Sequence, residues 1–472
     1  MRVLQLTPGT GSFHCGSCLR DNALALALRR QGHDVLLLQL YLPLVLDEAP
    51  DTETPQNHRP STPNSREPTA RGRDAASTPA PALGAGGRVF FGGVNSYLQQ
   101  KWPLFRHTPR WFDRVLDHPL LLRLAGRRVG MTDAHFLGEM TLSMLAGEEG
   151  NQKKEADKLV DWLRVQGMAF DLVSLSNALL VGMVRRLKRE IKTPVVCSLQ
   201  GEDSFLDGLP EVQRQRAWEL LRARAAEVDA FIAPSAYYAQ VMTERMKLDP
   251  ARVHVAHNGI DLAGYQPTPT PPGPAAIGYL ARMCPAKGLH TLVEAFIQLK
   301  QRGRVPDLRL LVAGAQTPAD VPYVKQLQRR LTEAGVAQDA AFAPNIDRQA
   351  KLDFLRTLSV LSVPATYREV FGLYLLEAWA MGVPVVQPAH GAFPELIAAT
   401  GGGLLYRPDD PWALVEALET LLLDGAHRQA LSLSGRAAVV AEFTADQMAQ
   451  RVARIFEQTL RQAGRDPQPR TM

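Results

Sequence analysis

At 472 residues, 46% of them hydrophobic and 21% charged, the chain has the balance of an ordinary globular protein, with length for two or three domains and a large core. A formal net charge of +5 suits an anionic ligand or a membrane surface and is too small to argue for nucleic acid. Four cysteines give no disulfide framework, and no stretch offers the roughly eighteen apolar residues of a membrane span. The opening MRVLQLTPGTG lacks the long apolar run of a signal peptide and reads as a strand. A reducing cytoplasm is therefore the expected compartment, with peripheral contact at the inner face of a membrane as the alternative.

Residues 3–6 read as a buried strand ending at Pro8, Gly9 and Gly11. Residues 22–30 (NALALALRR) read as a helix closed by Gly32, and residues 35–40 as a second strand. This β-loop-α-β unit opens a doubly wound sheet. In its loop, His14, Cys15 and Cys18 have the spacing of half a zinc site or of a redox pair. Cys197 and Cys284 stand isolated elsewhere, so small thiols packing a tight loop are the favoured reading and no metal site is expected. Residues 47–87 carry Pro50, Pro55, Pro60, Pro63, Pro68, Pro79 and Pro81 among Thr, Ser, Arg and Ala. Such a segment cannot bury enough apolar surface to offset its ordering entropy, which predicts a disordered insertion.

Residues 97–128 interleave Lys101, Trp102, Phe105, Arg106, Arg110, Trp111, Phe112 and Arg114. Helices with aromatics inside and arginines outside are favoured there over an acceptor cleft or a patch on anionic lipid. Helices over 140–145 and 153–166 follow, then strands over 172–175, 194–199 and 230–233. The turn after residue 199 carries Gln200, Glu202 and Asp203, where a carboxylate either contacts an acceptor hydroxyl or is simply solvated.

Residues 266–274 (QPTPTPPGP) form a stiff linker between domains. A strand over 277–280 opens the second domain, and the loop after it carries Arg282 and Lys287 ahead of a helix over 290–301. Both cations can point at a diphosphate, the arginine as a bidentate fork and the lysine as a point charge. Strands over 308–313, near 341–342, and over 358–363, 385–386 and 403–406 complete a second doubly wound sheet. The predicted layout is a first domain over 1–264, a linker over 265–274, a second domain over 275–442, a crossing helix over 443–463 and a frayed tail over 464–472.

The second domain is organised around residues 363–384. A strand gives way to a loop bearing Glu369, then runs through Phe371 and Gly372 into a helix whose apolar positions include Leu373 and Leu376. The first amides of such a helix lack intrahelical partners and its dipole favours negative charge, so the loop is a ready anion site. Gly372 lets a phosphate come close to the backbone. Of the two flanking carboxylates, Glu369 suits the hydroxyls of a sugar and Glu377 those of a ribose.

Glu369 and Glu377, with seven residues between them and AWAMGVPVV after them, resemble the donor-site signature of the retaining GT-B glycosyltransferases of family 4. Ala281-Arg282-x4-Lys287-Gly288 resembles the family's Gly-Arg-x4-Lys-Gly, with alanine for the first glycine. VHVAHNGID (253–261) resembles its Pro-Asn-Gly-Val-Asp stretch, and Gly391-Ala392-Phe393-Pro394-Glu395 its Gly-Gly-x-Pro-Glu turn. The resemblance implies an α/β protein of GT-B fold: two Rossmann-like doubly wound domains facing across a cleft, with a C-terminal helix crossing back to the first. It implies a hexosyltransferase that retains anomeric configuration, needs no metal and has no cofactor beyond a nucleoside-diphosphate sugar as co-substrate. Arg282, Lys287 and Glu369 would be catalytic, and Gly16, Phe371, Gly372, Leu373 and Glu377 would hold the donor. Two departures stand out: Cys15 replaces the first glycine of a Gly-Gly pair, and Gln200 replaces a histidine near the reacting sugar. Gln200 and Asp203 are accordingly the acceptor-side candidates. The expected partners are a nucleotide sugar and a sugar or lipid-linked acceptor, not nucleic acid. A glycogen-synthase-like polymerising transferase, a sugar-nucleotide epimerase of the same fold and a non-catalytic nucleotide-sugar binder are the rival readings.

Overall fold

Short aliphatic runs bounded by turn residues form two sheets, both wholly parallel. The computed structural model describes residues 1–8, 16–40, 134–151, 153–267, 273–410 and 412–465. The expected insertion over 47–87, the aromatic and basic stretch over 97–128, His14, Cys15 and the last residues of the tail lie outside them.

The first sheet contains β1 (Arg2–Thr7), β2 (Asp34–Gln39), β3 (Leu172–Leu175), β4 (Val195–Ser198), β5 (Ala230–Ala233) and β6 (Val253–Val255), in the order β2-β1-β3-β4-β5-β6. The second contains β7 (Ala276–Leu280), β8 (Arg309–Gly314), β9 (Ala340–Pro344), β10 (Val360–Leu361), β11 (Val385–Pro388) and β12 (Gly403–Tyr406), in the order β12-β11-β10-β7-β8-β9. Every residue of β3, β4, β5, β7 and β11 is buried, as parallel strands covered by helices on both faces require. In each sheet the winding reverses once, between β1 and β3 and between β7 and β10. Ligands of such sheets bind outside the carboxyl ends of the strands at those points. The loops there lead to Gly16 in the first sheet and to Arg282, Lys287 and Glu369 in the second.

Several elements differ from the sequence expectations. The first helix, α1 (Gly16–Arg30), starts six residues ahead of its predicted start at 22, because Arg20 and Asp21 are buried polar residues in a stretch whose polarity reads as loop. The strand predicted over 358–363 pairs only at Val360–Leu361, and Pro364 follows without an N–H to continue it. Glu202, read as part of a turn, instead begins a short helix, α2 (Glu202–Asp207).

The helix at the end of the described chain, α3 (Ala445–Gln462), packs on α1. Met448, Ala449, Val452 and Phe456 share one buried cluster with Ala23, Leu24, Ala27 and Leu28. Thr444 caps its first turn, accepting from the amide of Gln447, and Arg30 pairs with Asp446 at 2.8 Å. Among the described residues no helix is long and apolar enough to cross a membrane.

Candidate active site

A cavity of about 330 Å³ lies between the two sheets, bounded by Gly16, Leu19, Arg20 and Ala23 of α1 on one side. On the other are Arg282, Lys287, Leu373, Tyr374 and Glu377. Among the described residues its wall carries five cationic side chains, Arg20, Arg282, Lys287, Arg348 and Lys351, against two carboxylates, Asp261 and Glu377. Low-dielectric walls of one sign concentrate an anionic ligand.

Lys287 ends a short turn (Pro285–Lys287), and Gly288 follows at φ 70°. A Cβ on Gly288 would lie 1.7 Å from the carbonyl oxygen of Pro364, so only glycine lets this loop press against the chain leaving β10. That approach delivers Lys287 to Glu369: Nζ pairs with Oε2 of the buried carboxylate and also donates to the Tyr367 hydroxyl. The hydroxyls of Tyr367 and Tyr374 donate to the same Glu369 oxygen at 3.0 and 3.2 Å. Burial, and then the Glu369 charge, push both phenols well above their ordinary pKa, which keeps them protonated donors.

Arg282 is half exposed and is steadied by Asp320, whose two oxygens accept from Nε and Nη2 at 3.1 Å each. Asp320 is itself held by Thr317, through the amide at 2.9 Å and the hydroxyl at 2.6 Å. Burial pushes its pKa up, but these bonds and Arg282 outweigh that and hold it low.

The helix after Glu369, α4 (Leu373–Ala380), begins at Gly372, whose φ is 89°. A Cβ there would meet the rings of Phe393 and Tyr374 at 3.3 Å, so glycine keeps the helix N-terminus open. Phe371 is 2% exposed; its side chain belongs to the core. Further along α4, Glu377 Oε1 accepts from Lys351 Nζ at 2.8 Å and from the Tyr265 hydroxyl at 3.0 Å. Across the cavity, a Cβ on Gly16 would be 3.5 Å from Leu373 Cδ1. The N-termini of α1 and α4 thus face one another.

The structure therefore gathers Gly16, Arg282, Lys287, Leu373 and Glu377 on one cavity, with Glu369 behind Lys287 and the Phe371–Gly372 backbone at the helix entrance. It does not bring Gln200 or Asp203 there. Gln200 Nε2 donates to the Ser176 carbonyl at 2.9 Å and to Asp21 Oδ1 at 3.2 Å. Asp203 Oδ1 accepts from the Tyr238 hydroxyl at 2.9 Å. Glu202 is buried and takes the amides of Ala178 and Gln200 at 2.7 and 2.8 Å, so it fastens the first domain rather than facing an acceptor. The residues that sequence reasoning missed are Arg20, Tyr265, Lys351, Tyr367 and Tyr374. Tyr367 and Tyr374 flank Glu369 closely enough in sequence to have been found from it. Among the described residues no group of three or more His, Cys, Asp or Glu is placed to hold a metal; Cys18 is buried 3.8 Å from the Thr7 hydroxyl.

Two parallel six-stranded α/β units around a cationic cleft are the GT-B architecture. Sucrose-phosphate synthase from Thermosynechococcus elongatus shares the fold with a TM-score of 0.63 at 18% identity, over 97% of this chain and 98% of that one. HepE from Anabaena, solved with UDP and glucose, does so with a TM-score of 0.61 at 16% identity, over 97% and 100%.

Within that fold the chain belongs to the group 1 glycosyltransferases. The family profile described as "Glycosyl transferases group 1" matches residues 266–438, and "Glycosyltransferase Family 4" matches residues 150–263. The lipopolysaccharide core biosynthesis mannosyltransferase LpsB of Rhizobium meliloti is 31% identical over 266 residues, 53% of this chain and 70% of that protein. A D-inositol 3-phosphate glycosyltransferase of Stackebrandtia nassauensis is 30% identical over 218 residues, 44% of this chain and 49% of that protein. The match thus spans about half the length of the latter relative.

Proposed function

We propose that the chain transfers a hexosyl group from a nucleoside-diphosphate sugar to a hydroxyl acceptor, with retention and without a bound metal or other cofactor. The observation that carries this reading is the convergence of Arg282, Lys287 and the open N-terminus of α4 on a cavity wall that also holds Glu377. The first three are suited to a diphosphate, and Glu377 to the vicinal hydroxyls of a ribose. That HepE was solved in complex with UDP and glucose is in keeping with it.

In the transfer, the bond between the anomeric carbon and the diphosphate oxygen breaks while a bond to the acceptor oxygen forms on the same face. The acceptor proton passes to the departing diphosphate. Negative charge grows on that diphosphate as the sugar becomes oxocarbenium-like, and groups aimed where charge develops lower the barrier most. Lys287 would exchange part of its contact with Glu369 for the phosphate. Glu369, still held by Tyr367 and Tyr374, would accept from the sugar hydroxyls.

A thermal-shift panel of UDP-, GDP-, ADP- and CDP-sugars on wild type and Glu377→Gln tests the donor site. Glutamine preserves the shape beside Lys351, which alanine would leave largely buried without its carboxylate. The matching nucleotide sugar is expected to raise the wild-type melting temperature, and the variant to need about tenfold more ligand for the same rise. Equal shifts in both proteins would dismiss Glu377 as a ribose ligand. Incubation of that donor alone then distinguishes slow hydrolysis from the appearance of an epimer.

A further inference from the structure

Arg20 is a cationic residue of the cavity wall that the transfer just described does not use; Arg348, also left out of it, donates to the Ala263 carbonyl at 2.7 Å. Arg20 belongs to α1, one turn after Gly16, so the two lie on the same face of the helix as Ala23 (i, i+4, i+7), and all three line the cavity. Its side chain is only 3% exposed, an unusual place for a guanidinium that faces a ligand cleft. Nε donates to Asn258 Oδ1 at 3.2 Å, and Nη1 donates to Asp21 Oδ1 at 3.0 Å and to Ser198 Oγ at 3.3 Å. Among the described residues Nη2 has no hydrogen-bond partner. Three buried side chains thus fix the fork while leaving two of its N–H groups over, open to the cavity and available to an arriving acceptor.

Beside it Asp21 is fully buried, and its Oδ2 has no partner among the described residues; burial raises its pKa in spite of the Arg20 charge. Two helix N-termini face the same space, and neither α1 nor α4 has an acidic residue in its first turn to occupy it.

We infer that Arg20 binds an oxyanion of the ligand in the interdomain cavity, from the side opposite Lys287, and that Asp21, Ser198 and Asn258 position it. Gln200 then has a place as well: it steadies Asp21 through the 3.2 Å bond to Oδ1. The inference rests on the donor-site reading above and extends it, because the oxyanion site would be complete only where both domains contribute. The anion is a phosphate or carboxylate, carried either by the donor diphosphate or by the acceptor.

Isothermal titration of wild type, Arg20→Gln and Arg20→Lys tests this. The ligands are the better-binding diphosphate of UDP and GDP, its monophosphate, and inorganic phosphate added to protein saturated with that diphosphate. If the donor supplies the anion, Arg20→Gln weakens the diphosphate about tenfold, the ratio that a hydrogen bond to a charged group supplies, leaves the monophosphate unchanged, and Arg20→Lys recovers part of the loss. If the acceptor supplies it, diphosphate affinity is unchanged and the variant loses inorganic phosphate. Equal weakening of diphosphate and monophosphate would assign Arg20 to the scaffold and overturn the inference, as would wild-type affinities for all three ligands. Should Arg20→Gln fail to fold, Arg20→Lys, which keeps the charge and loses the fork, carries the same comparison with a smaller expected loss. A wild type that binds no nucleotide overturns the donor-site reading itself, and the inference with it.

Discussion

Lys287→Ala is expected to lower turnover about a hundred- to a thousandfold, by analogy with removal of one preorganised donor from an oxyanion site. Lys287 is held on the shortest path between the cavity and Glu369, on a loop that Gly288 presses against Pro364. A cation fixed in this way costs little reorganisation when charge develops on the leaving diphosphate. The fold should survive the change. Glu369 would lose its ionic partner in a site where its side chain is 9% exposed, but the hydroxyls of Tyr367 and Tyr374 remain on the same oxygen. The stability loss should therefore stay below the roughly 3–5 kcal/mol of a buried pair broken outright. Arg282→Ala should act in the same direction on turnover. Measuring kcat and KM beside a thermal melt separates the two effects: a normal melt with near-normal kcat would end the assignment of Lys287 to the leaving group.

The second-domain half of the candidate site was legible in sequence for a physical reason. Arg282 and Lys287 share one strand-to-helix loop, and Glu369, Gly372 and Glu377 share one strand-loop-helix unit, so local spacing fixes their relative placement. What local spacing cannot carry is the partner brought by the fold. Tyr265 is 112 positions from Glu377 in sequence, and Lys351 reaches it from another helix. Gln200 was expected on the acceptor side because it takes the place of the family's histidine near the reacting sugar, yet it bonds Asp21 from 179 positions away. Arg20 and Asp21 looked like loop because buried polar residues carry no amphipathic pattern; the partners that make that turn of helix interior, Ser198, Gln200 and Asn258, come from far along the chain. The alternation of apolar runs and turns, by contrast, sufficed for every strand but β6, whose three residues are none of them fully buried, since parallel strands buried on both faces read as continuous aliphatic segments.

One carboxylate gathers several of the contacts between the two domains. Glu395, near the start of a helix in the second domain (Phe393–Thr400), accepts at Oε1 from the amide of Ala236 at 2.9 Å. Its Oε2 accepts from the amide of Tyr237 at 3.0 Å, and His257 Nε2 lies 2.7 Å from Oε1. Those amides open a first-domain helix (Ala236–Met246), whose dipole favours the carboxylate, and its cap Ser235 donates to the carbonyl of Val370 at 2.8 Å. Val370 adjoins Glu369, so the interdomain clasp ends on the loop that carries Glu369.

Replacing Glu395 by alanine leaves the two amides without their carboxylate, which for hydrogen bonds to a charged group is worth about 1.5–3 kcal/mol when buried. The side chains of Glu395 and His257 are 23% and 26% exposed, so a discounted value of about 2 kcal/mol is appropriate, or roughly thirtyfold in the ratio of clasped to open molecules. If transfer requires the clasped form, kcat/KM should fall by up to about that factor. The expected pH dependence follows from the sign of the shift. Burial pushes the pKa of Glu395 up, but the bonds from His257 and the two amides outweigh it and leave it below the ordinary carboxylate value. A depressed carboxylate contributes fully above its unfolded pKa and loses its contribution as the pH falls through the depressed value. The clasp should thus hold at neutral pH and open in acid, while Glu395→Ala should be open at both. Small-angle scattering of ligand-free wild type and variant reads the difference as a larger radius of gyration in the variant at neutral pH. Identical radii together with an unchanged kcat/KM would mean that the carboxylate does not govern closure, and that the Ser235–Val370 contact and the packing of α3 on α1 hold the domains without it.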